Sequence, residues 1–190
     1  MSLRHAILGF LSVRPFTGYD LKKAFDTSIR HFWTADKAAI YRMLADLESD
    51  GLAASERVPQ QTRPDRHLYH LTDAGRIELD RWLRVPLEPV TRREPFLLQL
   101  FFSDRLSPAE RDEVVAAELA ATEEQVGALS AVVALVQGDP NQPLGPILTL
   151  HAGLVSLIGW RDWLRAIRAR LGEPGLAASL LAEFGGRPNE

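Results

Sequence analysis

Apolar positions in the front of the chain recur three and four residues apart, then alternate, then return to helical spacing. Leu3, Ala6, Ile7 and Phe10 predict a short first helix with Ser2 as its cap. Thr17 and Asp20 are three apart, a capping-box variant with Asp in place of Glu. They open a second helix with Leu21, Ala24 and Phe25 inward. Asp36 caps a third helix, Lys37 to Ser49, with Ile40, Met43, Leu44 and Leu47 as its buried face and Gly51 as its stop. The period then falls to two. Leu52 to Val58 and Arg66 to Leu71 read as strands around the polar loop Pro59 to Asp65, with His67, Tyr69 and Leu71 on one face. Thr72 caps a fourth helix with Leu79, Trp82 and Leu83 inward.

The rest is helical. Proline-rich joints lie at residues 85–95 and 138–146. Glu94 to Phe102 forms a dense apolar cluster. Ser107-Pro108-Ala109-Glu110 is a capping box with proline in the first helical position. The helix it opens repeats Val115, Leu119, Thr122, Val126, Leu129, Val133 and Val136 at alternating spacings of four and three, a heptad seam. From Pro146 a last long helix carries Leu150, Leu154, Leu157, Trp160, Leu164, Ile167 and Leu171 on one stripe. The expected division is a domain over residues 1–85, a linker over 86–95, a helical domain over 96–184 and a flexible tail over 185–190. Seam and stripe are too apolar to stay in water, and a second copy of the chain is expected to complete the bundle. Val115, Leu119, Val126, Leu129, Val133, Leu157, Trp160 and Leu164 are the candidate dimerisation residues.

A mainly α chain with three helices, a two-stranded hairpin and a further helix follows the winged helix-turn-helix order. In that design the third helix enters the major groove and the hairpin reaches the neighbouring groove or backbone. The outward face of the third helix is Lys37, Ala38, Tyr41, Arg42 and Ala45. Small residues permit close approach, and cations meet phosphates or guanine edges. The hairpin adds Gln60, Gln61, Thr62, Arg63 and Arg66. Lys37, Ala38, Tyr41, Arg42, Gln61, Thr62, Arg63 and Arg66 are therefore the candidate DNA-contacting residues. The alternative is a winged-helix protein-interaction module that never touches DNA.

Charge tilts the same way. Residues 1–85 carry 13 Lys and Arg against 11 Asp and Glu, and the remainder 9 against 14, within a net charge of −3. Zero cysteines exclude a disulfide scaffold, a thiol nucleophile and thiolate metal sites. Odd spacing puts His67 and His70 on opposite strand faces, which disfavours a metal pair. With no phosphate loop and no nucleophile elbow, neither a catalytic site, a metal site nor a cofactor is expected. No run of about 18 apolar residues is found, so the protein is placed in the cytoplasm with no membrane partner.

These residues carry a family resemblance. Trp33 to Leu52, with Ile40-Tyr41, Leu44, Leu47-Glu48 and Gly51-Leu52, resembles the PadR family of transcriptional regulators. So do Tyr69 and Leu71-Thr72-x-x-Gly75, the front Thr17-Gly18-Tyr19-Asp20-Leu21, and Leu8-Gly9-Phe10-Leu11. Phe96-Leu97-Leu98 to Phe102 and Trp163-Leu164 are similar to the longer subfamily, whose helical C-terminal domain pairs two chains. Two departures stand out: Ala39 where the family usually has Ser, and Arg42 where it often has Pro. The resemblance implies a homodimeric regulator, a repressor, on palindromic double-stranded DNA. It also implies release by a small aromatic or drug-like effector, for which Trp33, Trp160 and Trp163 are the candidate contacts.

Overall fold

The computed structural model describes residues 2–30, 32–59, 66–87, 93–138 and 141–185 and divides into two compact units, residues 1–90 and 91–190. The first unit contains α1 (Ser2–Val13), β1 (Phe16–Thr17), α2 (Gly18–Ser28), α3 (Lys37–Ser49), β2 (Ala53–Val58), β3 (Arg66–Leu71) and α4 (Asp73–Leu83). The sheet is antiparallel in the order β1-β3-β2. It therefore has three strands, not the two expected, with Phe16 opposite Tyr69 and Thr17 opposite Leu68. A two-residue strand carries no periodicity of its own. Its sequence shows only the cap that follows it.

Each cap works through a named side chain. Thr17 accepts from the Asp20 N–H, but the Asp20 carboxylate takes the Thr17 hydroxyl at 2.8 Å, so the reciprocal bond runs side chain to side chain. Asp36 accepts from Ala39 N–H at 2.7 Å, and Gly51 ends α3 with a positive φ of 70°.

The core of this unit joins Ile7, Leu8, Leu11, Phe16, Leu21, Phe25, Ile40, Leu44, Leu47, Ala53 and Leu79. Two expectations shift. In α1 the fully buried positions are Ile7, Leu8 and Leu11, with Leu3, Ala6 and Phe10 only partly covered, because α1 packs against α3, α4 and β3 rather than on one side. In α4 Leu79 is buried and Trp82 half-buried, while Leu83 is exposed in the last turn.

The junction of α3, β2 and α4 is tight. The Thr72 hydroxyl donates to Gly51 C=O at 2.7 Å and accepts from Gly75 N–H at 3.0 Å, and Thr72 N–H donates to Leu52 C=O at 3.2 Å. A Cβ on Gly75 would lie 2.0 Å from the Leu52 carbonyl oxygen and 2.7 Å from Leu71 Cδ1. Gly75 is thus required by a close approach, and Thr72-x-x-Gly75 is one joint. Gly75→Ala is expected to cost about 3 kcal/mol, because backbone must move to admit the methyl. Denaturant unfolding checks this, and a variant as stable as the parent contradicts it.

A second tie joins α1 to α4. His5, nearly buried, stacks on Trp82 with ring centroids 4.7 Å apart and places Nε2 3.0 Å from Glu78 Oε1. Arg81 grips the same carboxylate with two bonds of 2.8 Å. Arg81 first, then His5, hold the Glu78 carboxyl down to about 2 from an ordinary 4.5. A depressed carboxyl stabilises the fold above its ordinary value and loses that contribution as pH falls towards its folded one. The melting midpoint is therefore expected to drop between pH 4.5 and about 2. Glu78→Gln should lower it at neutral pH and blunt that acid step; an acid step of unchanged size counts against the tie.

The second unit contains α5 (Pro95–Phe101), a 3-10 turn at Ser103–Arg105, α6 (Pro108–Val136), α7 (Leu144–Arg170) and α8 (Leu176–Gly185). The capping box at α6 is complete: Ser107 accepts from Glu110 N–H, and Glu110 accepts from Ser107 N–H at 2.8 Å. α6 and α7 run antiparallel, pairing Asp112 with Arg168, Glu118 with Trp160 and Glu123 with Arg165. Val115, Leu119 and Leu164 form the core, flanked by Phe96, Leu100, Trp160 and Leu171.

This changes the expected dimer seam. Val115, Leu119, Leu129 and Leu164 are buried within the single chain and have little or no surface left for a partner. Val126, Val133, Leu157 and Trp160 are half-buried on the same stripes. A heptad pattern specifies a helical neighbour, not whether that neighbour belongs to the same chain.

By length and composition α6 is also apolar enough to cross a membrane, with a mean hydropathy of 1.4 in its most apolar stretch, contrary to the expectation of no such segment. Its alanines and valines raise the mean without an unbroken apolar run. Glu123, Glu124 and Gln125 stand near mid-helix, and one stripe seats against α7. α8 was not foreseen as a separate helix. Arg170 holds it, with Nη1 donating to Glu183 and Nη2 to Ser179, both at 2.7 Å. The expected flexible tail falls, beyond Gly185, outside the described residues, as does the centre of the expected linker.

Candidate nucleic-acid interface

Burial of Ile40, Leu44 and Leu47 fixes the rotation of α3. At about 100° per residue, Lys37, Ala38, Tyr41, Arg42 and Ala45 then face outward, and all five are exposed. Lys37 is the first residue of α3, so its ammonium adds to the positive end of the helix dipole. Its Nζ lies 5.8 Å from the Tyr41 ring centroid. Arg42, with Leu3, Ala39, Met43, Ala45 and Asp46, lines a shallow depression beside the start of α1. Ala39 is half-buried there.

Tyr41 is less free than an outward helical position suggests. It is 42% exposed, and one edge of its ring lies against Gly18, the first residue of α2. Tyr69 is its neighbour on the sheet side. Burial first, then the Glu48 carboxylate, then Tyr41, raise the Tyr69 phenol above its ordinary range.

The wing is fastened to α3 by Glu48. Its Oε1 accepts from the Ser55 hydroxyl at 2.6 Å and from the Ser55 N–H at 3.2 Å, and the same hydroxyl lies 3.4 Å from His67 Nδ1. Arg66 opens β3 opposite Val58 and is exposed. Gln61, Thr62 and Arg63 lie outside the described residues. The pattern of residues flagged Arg66 but missed Arg57, an exposed cation opposite His67 on β2. It also missed the Glu48–Ser55 clamp and the seat at Gly18. Arg57 was legible as a cation next to the hairpin; the other two are contacts between elements and leave no local pattern.

His67 and His70 stand on opposite strand faces; His70 Nε2 lies 3.6 Å from Glu56. Among the described residues no three His, Asp or Glu gather at metal-ligand distances.

The three tryptophans singled out for an effector differ. Trp33 packs on the core of the first unit with an indole N–H that meets no acceptor. In the second unit Trp160 and Trp163 stack at 4.8 Å, Phe96 meets Trp160 edge-on, and the Trp160 N–H donates to Glu118 at 3.1 Å. Trp163 is 37% exposed.

A three-helix core, an antiparallel wing pinned to the third helix, and an outward face of small and cationic residues define a winged-helix DNA-binding unit. Residues 7–81 match the transcriptional regulator PadR-like family, and residues 92–172 match the virulence activator alpha C-terminal domain. The first unit thus carries a PadR-like transcriptional-regulator domain, and the second a virulence-activator C-terminal domain. The chain is 44% identical over 89 residues to a Mycobacterium tuberculosis protein named a probable transcriptional regulator, a match that spans about half the length of each chain. It is 28% identical to the negative transcriptional regulator PadR of Bacillus subtilis, over 89% of this chain and 97% of that one. The structure of that protein in complex with operator DNA superposes with a TM-score of 0.83, covering 90% of this chain and 99% of the other. The virulence activator AphA of Vibrio cholerae is similar at 28% identity and a TM-score of 0.70, covering 89% and 97%.

Proposed function

We propose that the chain is a cytoplasmic repressor that binds a palindromic operator as a homodimer, with α3 in the major groove and the wing on the flanking backbone. The observation that carries this is the outward face of α3, where Lys37, Ala38, Tyr41, Arg42 and Ala45 are all exposed. Lys37 and Arg42 meet phosphates or guanine edges, Ala38 admits the groove wall, and the Tyr41 hydroxyl bonds a phosphate. Gln61, Thr62, Arg63 and Arg66 supply the wing contacts. The Bacillus relative, named a negative regulator and solved with operator DNA, supports the direction of control.

Dimerisation is assigned to the second unit, and its contacts move from the seam to the surface left open. Leu97, Leu98, Phe101 and Phe102 on and beside α5, with Val155 and Ile158 on α7, are exposed large apolar side chains. That much apolar surface fits a two-fold self-contact. Val126, Val133, Leu157 and Trp160 are half-buried and keep some surface for the same contact. An aromatic or drug-like effector completes the reading, with Trp33, Trp160 and Trp163 as stacking candidates. The Bacillus PadR has also been solved with p-coumaric acid, which supports an aromatic class.

Mobility shift of the purified chain on its own upstream DNA tests the reading, and a saturable, site-specific and salt-steep shift is expected. Tyr41→Phe should weaken binding five- to tenfold, about 1 kcal/mol, at unchanged melting temperature. Arg66→Ala should weaken all sequences alike and reduce the log–log salt slope by about one. Saturable binding to protein partners with no shift of any duplex would instead establish the interaction module. For the dimer, Phe101→Glu, at a side chain 78% exposed, should give a folded monomer by sedimentation. An undiminished dimer would move the interface elsewhere.

A further inference from the structure

Gly18 has no conformational reason to be glycine. It opens α2 directly after the Thr17 cap, and among the described glycines only Gly51 and Gly175 have positive φ. Its reason is contact. A Cβ at position 18 would stand 2.7 Å from both Tyr41 Cε1 and Cζ, and 3.1 Å from the Tyr41 hydroxyl oxygen. Such distances are far inside van der Waals contact, and the atoms met form the rigid hydroxyl end of the ring. The same side chain is 42% exposed on its other side, on the outward face of α3. Gly18 is itself buried, and the strand just before it, Phe16–Thr17, is hydrogen-bonded to β3. The surface beneath Tyr41 is therefore anchored to the core and to the sheet. Of the described glycines, only Gly18 and Gly75 have close neighbours at this point, and those of Gly75 lie within the fold.

We propose that Gly18 is a positioning residue for duplex binding: the bare backbone at the start of α2 is the seat that sets where the Tyr41 hydroxyl stands above the recognition helix. This rests on the reading of α3 as the duplex-facing helix. Its physical content is that a tyrosine on an open helix face samples several rotamers, and ordering it on binding costs entropy. Seating one edge removes that freedom in advance, so the hydroxyl meets its phosphate already oriented. A methyl at position 18 either lifts the ring off the seat or turns it to another rotamer, without touching Lys37, Arg42 or the wing.

The test is a double-mutant cycle in the full chain, read by fluorescence anisotropy on a labelled duplex of its own upstream DNA, with melting curves of each free variant. Gly18→Ala is expected to weaken binding about tenfold while remaining folded at the assay temperature. Tyr41→Ala should weaken it similarly, and the double variant should be no weaker than Tyr41→Ala alone. Melting should show the same coupling, with Gly18→Ala lowering the midpoint when Tyr41 is present and leaving or raising it in the Tyr41→Ala background. Multiplying losses in the double variant overturn the proposal, since Gly18 would then act on DNA independently of Tyr41. So does wild-type affinity in Gly18→Ala. If no variant and no parent binds any duplex while the melting cycle stays coupled, the contact stands and the duplex-facing reading of α3 fails. If duplex binding is intact but the melting cycle is additive, the seat fails and that reading survives.

Discussion

One stripe of three side chains governs the first unit. Ile40, Leu44 and Leu47 have no exposed surface, and their burial leaves α3 a single allowed rotation. Each is worth about 2–3 kcal/mol when moved from water to the core, so rotating any of them outward costs more than a surface contact returns. The outward residues follow from that choice. Lys37, Tyr41 and Arg42 are displayed because the other face is committed, and a shift of one residue along α3 would replace them with Ala38, Arg42 and Met43.

The remaining ties keep that helix in fixed relation to what surrounds it. Glu48 binds both the N–H and the hydroxyl of Ser55, so the wing cannot slide against α3 without losing a charge-assisted pair. Thr72 closes the junction on the far side, bonding Gly51 where α3 ends and Gly75 where α4 begins. His5 and Glu78 then hold α1 to α4. In the second unit the corresponding role falls to the α6–α7 seam, flanked by Arg168–Asp112 and Arg165–Glu123 pairs. Exposed pairs of this kind add little stability individually; apolar burial at Val115, Leu119 and Leu164 does most of it.

How much of this could be read from the chain depends on the range of the interaction. Caps are local, so Thr17, Asp36, Thr72 and Ser107 were all legible, and with them the starts of α2, α3, α4 and α6. The face of α3 was legible because a single-sided helix shows its period. α1 was misjudged because burial on more than one side blurs that period. β1 was too short to have one. The seam from Val115 to Val136 was legible as a seam, but its partner was not, since the same pattern serves a helix in cis or in trans. The wing cations were only partly legible: Arg66 was named, Arg57 was overlooked. Tyr41 was read as an open groove contact, and its seat on Gly18 could not be seen. No rule of spacing links the start of one helix to the surface of the next.

In the proposed function the outward face of α3 and the wing read duplex DNA from one two-fold assembly. Hydroxyl-radical footprinting of the purified chain on its own upstream region tests this most directly. Two protected patches on the same side of the duplex, about one helical turn of 34–36 Å apart or a multiple of it, are predicted. A uniform pattern along the duplex at saturating protein, or a single isolated patch, would contradict it.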